Sequence, residues 1–166
     1  KWLGSGEHIG AAIINERFCW KETRRHSDTW SGDPYTSMAG LTTLRIMLGE
    51  NLAARAAELG SYLDRRIREG ILDAFKENWA WGAMLVDNMD GLGLMRRVKF
   101  VNPKNSDEPL SEVRDRVVDE ARKKGLLLMA AGESAIRLMP PLVITKSQID
   151  QFATILVEAI VAAIGV

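Results

Sequence analysis

Residues 125–164 read GLLLMAAGESAIRLMPPLVITKSQIDQFATILVEAIVAAI and carry the strongest fold signals in the chain. Residues 126–129 and 135–139 are short apolar runs of the length typical of strands. Gly132 lies between them, where a tight turn favours a residue that tolerates positive φ. The pattern predicts a hairpin of two antiparallel strands.

The second half of this stretch predicts an amphipathic helix. Thr145 and Gln148 stand three residues apart, the spacing of a capping box, in which each side chain bonds the other residue's backbone N–H. Behind them apolar residues recur at helical spacing, at Ile149, Phe152, Leu156, Ile160 and Ile164. One face of this helix is therefore expected to cover a sheet.

Strand and helix signals continue toward the N-terminus. Residues 92–101 are predicted to form one strand, and residues 111–124 a helix that is capped by Ser111 and stopped by Gly125. Strands interleaved with helices, some of them antiparallel, predict an α+β fold with a small, mostly antiparallel sheet covered by helices.

A helical segment precedes this part of the chain. It is expected to begin at Pro34, and its apolar repeat continues to Ile67. One long bent helix and two helices in tandem both fit, because glycines interrupt the pattern at Gly49, Gly60 and Gly70. The first 33 residues are rich in glycine and polar residues, with an apolar run at 11–14 that we interpret as a buried strand.

Composition narrows the class of protein. The 166 residues contain 22 basic and 22 acidic side chains and are 46% hydrophobic, which indicates a globular, soluble chain. A neutral balance argues against nucleic acid or an anionic membrane as the main partner, and no apolar run approaches the roughly 20 residues of a membrane span. One cysteine, Cys19, cannot form an internal disulfide, so we expect a reducing compartment, the cytoplasm.

Three places could carry chemistry, and the first two lie near the N-terminus. Lys1 precedes a glycine-rich stretch, where a desolvated lysine could form a Schiff base; a solvated terminal lysine is the alternative. Residues 27–34 precede a helix start, where hydroxyls and free amides could bind a phosphate. The alternative there is a plain loop in which Asp33 caps the helix.

The third place is Arg137, inside an apolar strand. A buried guanidinium needs a partner, either a substrate carboxylate, which its planar fork matches, or a structural ion pair with Asp or Glu. His8, His26 and Cys19 do not have the spacing of a zinc site, so no metal is predicted.

Five segments of the chain form a recognisable series. They are KWLGSGEHIGA at 1–11, HSDTWSGDP at 26–34, GLGLM at 91–95, GLLL at 125–128 and IRLMPPL at 136–142. In this order they resemble the C-terminal part of a class III (ω-amino acid) aminotransferase, a pyridoxal 5′-phosphate (PLP) enzyme of fold type I. The form of the second segment is closest to the 4-aminobutyrate aminotransferase branch.

The resemblance implies a role for each candidate residue. Lys1 would bind the PLP cofactor covalently and act as the catalytic acid–base, Thr29 would bind the cofactor phosphate of a neighbouring subunit, and Arg137 would receive a substrate carboxylate. The expected reaction moves an amino group from an ω-amino acid such as 4-aminobutyrate to a 2-oxo acid such as 2-oxoglutarate, in a homodimer or higher homo-oligomer.

The resemblance also implies how the chain is divided. Residues 1–33 would be a remnant of the large cofactor-binding domain, 34–70 an interdomain helical segment, and 71–166 the small C-terminal domain. The rest of the cofactor pocket would come from a long N-terminal region, so the 166 residues alone are expected to be inactive. A racemase, decarboxylase or aminomutase of the same family is one alternative, and a purely structural or dimerisation domain is the other.

Overall fold

The computed structural model describes residues 5–10, 15–18 and 32–165. The chain divides into two compact units, Lys1–Ala53 and Ala54–Val166. The strand expected at residues 11–14 lies outside the described residues. The domain boundaries expected near residues 33 and 70 stay a prediction.

The first unit contains a short 3-10 helix, Glu16–Phe18, and helix α1, Pro34–Gly49. Helix α1 begins at the expected proline, because a missing N–H costs nothing in a first helical turn. The Asp33 carboxylate caps it by accepting a hydrogen bond from the Thr36 backbone N–H at 2.8 Å. The capping alternative for Asp33 is thus confirmed.

The helical segment consists of two helices in tandem. Helix α1 ends at Gly49 and helix α2 runs over Leu52–Ala74. Between them Asn51 has a φ of 48°, a left-handed conformation that ends a helix and that asparagine tolerates better than most residues. Gly60 and Gly70 lie inside α2 and do not break it.

The second unit holds the rest of α2 and all further elements. In chain order these are α3 (Trp79–Asp87), β1 (Met89–Leu92), β2 (Met95–Lys99), β3 (Val101–Asn102), β4 (Asn105–Pro109), α4 (Ser111–Lys123), β5 (Met129–Ala131), β6 (Ala135–Leu138) and α5 (Lys146–Ile164). The sequence patterns did not predict α3 or the β3–β4 hairpin.

The strands form a four-stranded antiparallel sheet in the order β1-β2-β6-β5, and β3 pairs with β4 separately. The prediction of one strand over residues 92–101 is wrong, because the chain turns back at Gly93, whose φ is 55°. The β5–β6 hairpin around Gly132 is confirmed, although β5 begins at Met129 and not at residue 126.

Helices cover one face of this sheet and enclose the core. Val98, Ile136 and Leu138 point from the strands into a cluster with α2, α4 and α5. Four large side chains of α2, at every fourth position, are buried there: Leu59, Leu63, Ile67 and Ile71. This arrangement confirms the α+β prediction and leaves the opposite face of the sheet uncovered by these helices.

The helix ends agree with the sequence in part. The capping box of Thr145 and Gln148 is present at the start of α5. Ser111, however, is the first residue of α4 and not its cap; Leu110 takes that position without a side-chain hydrogen bond. Gly125, with a φ of 82°, follows the end of α4 as expected.

Helix α5 has one property that the search for apolar runs did not predict. By length and composition it is the one helix in the described part of the chain that could cross a membrane. Its apolar stripe is confirmed, since Ile149, Leu156 and Ile160 are fully buried. A helix in the core of a folded domain meets the same criteria.

Candidate functional site

Arg137 lies on β6 between two of the most deeply buried side chains of the domain. Ile136 and Leu138 are 0% and 1% exposed, whereas Arg137 is exposed. Successive side chains of a strand point to opposite faces, so the guanidinium leaves the sheet on the face that the helices do not cover. The expectation of a buried guanidinium is therefore wrong.

Arg137 belongs to a row of side chains that crosses the whole sheet. The strand register places Asp90 of β1 opposite Arg97 of β2, Arg97 opposite Arg137, and Arg137 opposite Met129 of β5. We call Asp90, Arg97 and Arg137 the charged row. Two guanidinium groups thus stand on neighbouring strands, where like charges repel.

One of these two guanidinium groups is neutralised. Arg97 donates from Nε to Asp90 Oδ1 at 3.0 Å and makes a second contact with Oδ2, a bidentate pair. The hydrogen bonds that Arg97 donates to Asp90, together with the negative charge of that carboxylate, raise the pKa of Arg97. Arg137 makes no hydrogen bond or ion pair within residues 5–10, 15–18 and 32–165, so the structural ion pair is not found there.

Arg96 is the third arginine of this region, and its guanidinium group also has hydrogen-bond partners. Its Nε donates to the Gly93 carbonyl at 3.0 Å, and one terminal nitrogen reaches the Gly91 carbonyl and the Asp64 carboxylate. Of the three guanidinium groups, Arg137 alone is without a partner in the described residues.

Arg137 stands between two open cavities of different character. One, of about 390 Å³, is lined by the charged row together with Arg96, Leu92 and Met95. The other, of about 530 Å³, is mainly apolar and is lined by residues of the 125–128 loop, the two prolines after β6, and α5. A free guanidinium beside apolar surface suits a ligand with a carboxylate and a short hydrocarbon chain.

The residues expected to hold the cofactor lie outside the described part of the chain. Lys1 and Thr29 are both among them. Five residues after Lys1, Gly6 has a φ of 79°, a left-handed conformation that favours glycine, and no atom of the described residues lies within 4 Å of a Cβ built on it.

Near Thr29, the start of α1 is capped by the protein itself. The Asp33 carboxylate binds the Thr36 N–H, and a carboxylate at this point opposes a phosphate. A phosphate beside Thr29 would therefore rely on donors that precede Asp33.

The Asp90–Arg97 pair was not predicted from the sequence. It could have been found from the GLGLM segment, because a turn at Gly93 folds residue 90 back onto residue 97. The structure brings together Arg137 and this pair; it does not describe Lys1 or Thr29, whose positions stay a prediction.

Comparison with known proteins points to one family. The family model described as aminotransferase class-III matches residues 1–160. The chain is 32% identical over 94% of its length to the acetylornithine aminotransferase of Methanothermobacter thermautotrophicus, and 34% identical over 93% to that of Prochlorococcus marinus. It spans about a third of these relatives, 35% and 33% of their lengths.

Solved structures agree. A transaminase from a directed-evolution study by ancestral reconstruction superposes with a TM-score of 0.71 at 28% identity, over 85% of this chain and 30% of that one. An amine transaminase of an uncultivated Pseudomonas species, solved in its PLP-bound form, has a TM-score of 0.66 at 31% identity, over 86% and 30%.

These findings confirm the resemblance that the five sequence segments indicated. The fold is that of the C-terminal part of fold type I PLP enzymes, and the cofactor of the family is PLP. The 4-aminobutyrate branch stays a prediction, since the two relatives named above are acetylornithine aminotransferases. The chain belongs to the class III aminotransferase family.

Proposed function

We propose that this chain is the C-terminal part of a PLP-dependent aminotransferase that moves an amino group from an ω-amino acid to a 2-oxo acid such as 2-oxoglutarate. One observation carries the proposal. The exposed guanidinium of Arg137, which has no partner among the described residues, lies between a charged and an apolar cavity, as a carboxylate-binding group would. Family membership supplies the reaction class.

Arg137 acts by orientation. Its planar fork binds a carboxylate through two charge-assisted hydrogen bonds, which fixes the direction of the substrate chain as well as its position. A substrate held at one end presents its amine at a defined distance from that end, so the reacting atoms meet without a bimolecular search.

Lys1 and Thr29 hold the cofactor in this proposal. When bound, PLP supplies the electron sink that stabilises negative charge on the amine-bearing carbon of the substrate. The Nζ of Lys1 would take the proton from that carbon and deliver it to the carbon of the cofactor that carries the amino group. The Thr29 hydroxyl donates a hydrogen bond to the cofactor phosphate across a homodimer interface. The localisation that belongs to this proposal is the cytoplasm.

The amino donor is proposed from the chemistry shared by two candidates. 4-Aminobutyrate and acetylornithine, which the names of the relatives suggest, each carry one free primary amine at the end of a chain and one carboxylate at the other side. Both could place the carboxylate on Arg137. 4-Aminobutyrate remains the donor that the tryptophan-containing form of residues 26–34 favours.

Replacement of Arg137 tests the proposal in the natural polypeptide that contains these residues. Arg137→Ala should raise the KM for the donor roughly 10-fold to 100-fold, because a hydrogen bond to a charged group contributes about 1.5–3 kcal/mol, and should change kcat less. Arg137→Lys should recover part of the loss. Arg116→Ala, an exposed arginine of α4, is the matched control. An unchanged KM for donor and acceptor would contradict the proposal.

A labelled-nitrogen assay tests the reaction class. With a 15N-labelled donor, the label should appear in the amino acid made from the 2-oxo acid. Release of the label as ammonia, its retention on the donor carbon skeleton, or loss of carbon dioxide would instead indicate one of the other chemistries of the family.

A further inference from the structure

We propose that Asp90 sets the charge selectivity of the cavity beside Arg137. By neutralising Arg97, it leaves Arg137 as the one guanidinium group of the cavity without a partner in the described residues, so that the charged row binds one carboxylate of a ligand and not two. This inference rests on the proposed role of Arg137 as the carboxylate-binding group and specifies how that group takes its substrates: the second carboxylate of an acceptor such as 2-oxoglutarate would bind outside the charged row.

The charged row contains two guanidinium groups. Arg97 and Arg137 are directly opposite on neighbouring strands. Strands lie about 4.8 Å apart, so two free guanidinium groups here could bind the two carboxylates of one short dicarboxylate. Asp90, opposite Arg97 on its other side, occupies the first of these guanidinium groups in a bidentate pair.

The other charged group that lines this cavity, Arg96, already has partners within the protein. It binds two backbone carbonyls and Asp64, a carboxylate that it shares with Arg68, and the other lining residues are uncharged: Gly91, Leu92, Met95, Ala131 and Gly132. On the other side of Arg97 a neighbouring cavity adds one basic residue, Lys99, and two acidic ones, Asp107 and Glu133. No surplus positive charge comes from that side.

The energetic consequence concerns the second carboxylate of a ligand. To reach Arg97, this carboxylate must displace Asp90. Because one carboxylate–guanidinium contact then replaces another, the second carboxylate adds little to the free energy of binding. The Asp90 and Arg97 side chains are 57% and 52% exposed, so their ion pair contributes little to the free energy of folding. The two residues meet because the strand register places them opposite each other. A single carboxylate on Arg137 leaves the pair intact.

Removal of Asp90 should therefore change the preference for dicarboxylates and little else. In Asp90→Asn the freed Arg97 can bind the second carboxylate of a ligand that already contacts Arg137. A hydrogen bond to a charged group contributes enough free energy to change an affinity about tenfold or more. We therefore expect glutarate to bind Asp90→Asn about tenfold more tightly than it binds the unaltered chain.

The test is a titration of the full 166-residue chain with butyrate and with glutarate at constant ionic strength. Arginine Nε–H resonances in NMR spectra of 15N-labelled protein report each guanidinium group separately, assigned through Arg97→Lys and Arg137→Lys. In the unaltered chain the dissociation constants of the two ligands should agree within about twofold, and only the Nε–H resonance of Arg137 should shift. In Asp90→Asn, glutarate should also shift the resonance of Arg97.

Two variants control the interpretation. Asp119→Asn removes one carboxylate from α4, where it pairs with Arg122, and changes the net charge equally; it should leave the glutarate-to-butyrate ratio unchanged. The double variant Asp90→Asn, Arg97→Gln should lose the gain in glutarate affinity, because the second guanidinium group is absent.

The possible failures are distinguishable. An equal glutarate-to-butyrate ratio in the unaltered chain and in Asp90→Asn, with Arg137 still responding, would overturn this inference alone. In the unaltered chain, a tenfold higher affinity for glutarate than for butyrate, with a shift of the Arg97 resonance, would also overturn it. No response of Arg137 to either ligand would remove the proposed carboxylate role and this inference together.

Discussion

The exposure of Arg137 follows from a property of single residues in a strand. Its neighbours Ile136 and Leu138 are buried, and alternation places the residue between them on the other face. The sequence shows an arginine in an apolar run, which indicates burial only if both faces are covered. Composition around a residue thus predicted that Arg137 matters, but not which way it points.

A second residue-scale feature links α2 to α5. The Tyr62 hydroxyl donates to Asp150 Oδ1 at 2.8 Å, and Arg66 Nε donates to the same oxygen at 2.7 Å. These hydrogen bonds, Tyr62 first, together with the positive charge of Arg66, lower the pKa of Asp150. The carboxylate therefore stabilises the contact between the two helices only while it is ionised.

This pair of bonds predicts a pH dependence of stability. Because the pKa of Asp150 is lower in the folded than in the unfolded chain, where it is about 3.9, its contribution is complete above roughly pH 5 and is lost as the pH falls through the folded pKa. Asp150→Asn should lower the urea midpoint at pH 7 and make less difference at pH 3.

Urea titrations at both pH values measure this, with Asp119→Asn as the control, because Asp119 pairs only within α4. A deficit of Asp150→Asn that is the same at pH 3 and pH 7 would show that the carboxylate charge is not the cause.

At the scale of elements, a close approach of two backbones joins α2 to the β1–β2 turn. A Cβ built on Gly60 would lie 2.1 Å from the carbonyl oxygen of Gly93. The oxygen belongs to the backbone and the backbone fixes the position of a Cβ, so neither atom can rotate away. This contact positions the hairpin that carries Asp90 and Arg97, and it explains why α2 has a glycine in its interior despite the loss in helix propensity.

Gly60→Ala should therefore destabilise the domain by about 3 kcal/mol, as overpacking against rigid neighbours does. Gly70→Ala in the same helix should cost less, because its added Cβ meets a methyl group of the Val157 side chain at 2.9 Å. Denaturant unfolding of both variants gives the comparison. Equal stability of Gly60→Ala and the unaltered chain would mean that the turn shifts freely.

The start of α5 offers a further test at this scale. Thr145 accepts from the Gln148 N–H, and the Gln148 side chain accepts from the Thr145 N–H. Thr145→Ala should lower the free energy of unfolding by about 1 kcal/mol, because helix N–H groups lose their partner. Ser147→Ala, an exposed position in the same turn, should have little effect; a similar loss in both variants would contradict the capping role.

Elements with strong local signals could be predicted from the sequence. The capping box, the stripe of α5, the turn at Gly132 and the start of α1 at Pro34 are all set by interactions within a few residues. Helix α3 could not be predicted, because residues 79–87 contain apolar residues without a clear period. The β1–β2 turn was missed, although Gly93 in the GLGLM segment was a signal for it. The pairing of Asp90 with Arg97 depends on that turn and was missed with it.

At the scale of the whole molecule, the chain corresponds to about a third of its relatives. The resemblance predicted the family and the cofactor, because five short segments in one order are a far more specific signal than any one of them. It could not identify the donor, since Arg137 is the one candidate site residue in the described part of the chain, and a carboxylate-binding group suits 4-aminobutyrate and acetylornithine equally.

One consequence concerns the 166 residues studied alone. Most of the cofactor pocket is expected to lie in a preceding region, so this chain should bind PLP weakly and catalyse no amino transfer. Its second unit, with a core of its own, should still unfold cooperatively. Equilibrium dialysis with PLP and a thermal melt measure both. Tight PLP binding or turnover by the isolated chain would contradict the expected division of the site.

The most direct test of the central claim is the covalent state of Lys1. The protein would be purified from its natural source, reduced with borohydride and digested, and its peptides identified by mass spectrometry. The account predicts a pyridoxyl group on Lys1, in a polypeptide that continues before this residue. Lys1 without the modification, in a protein whose other lysines carry it or whose chain binds no PLP, would contradict the account.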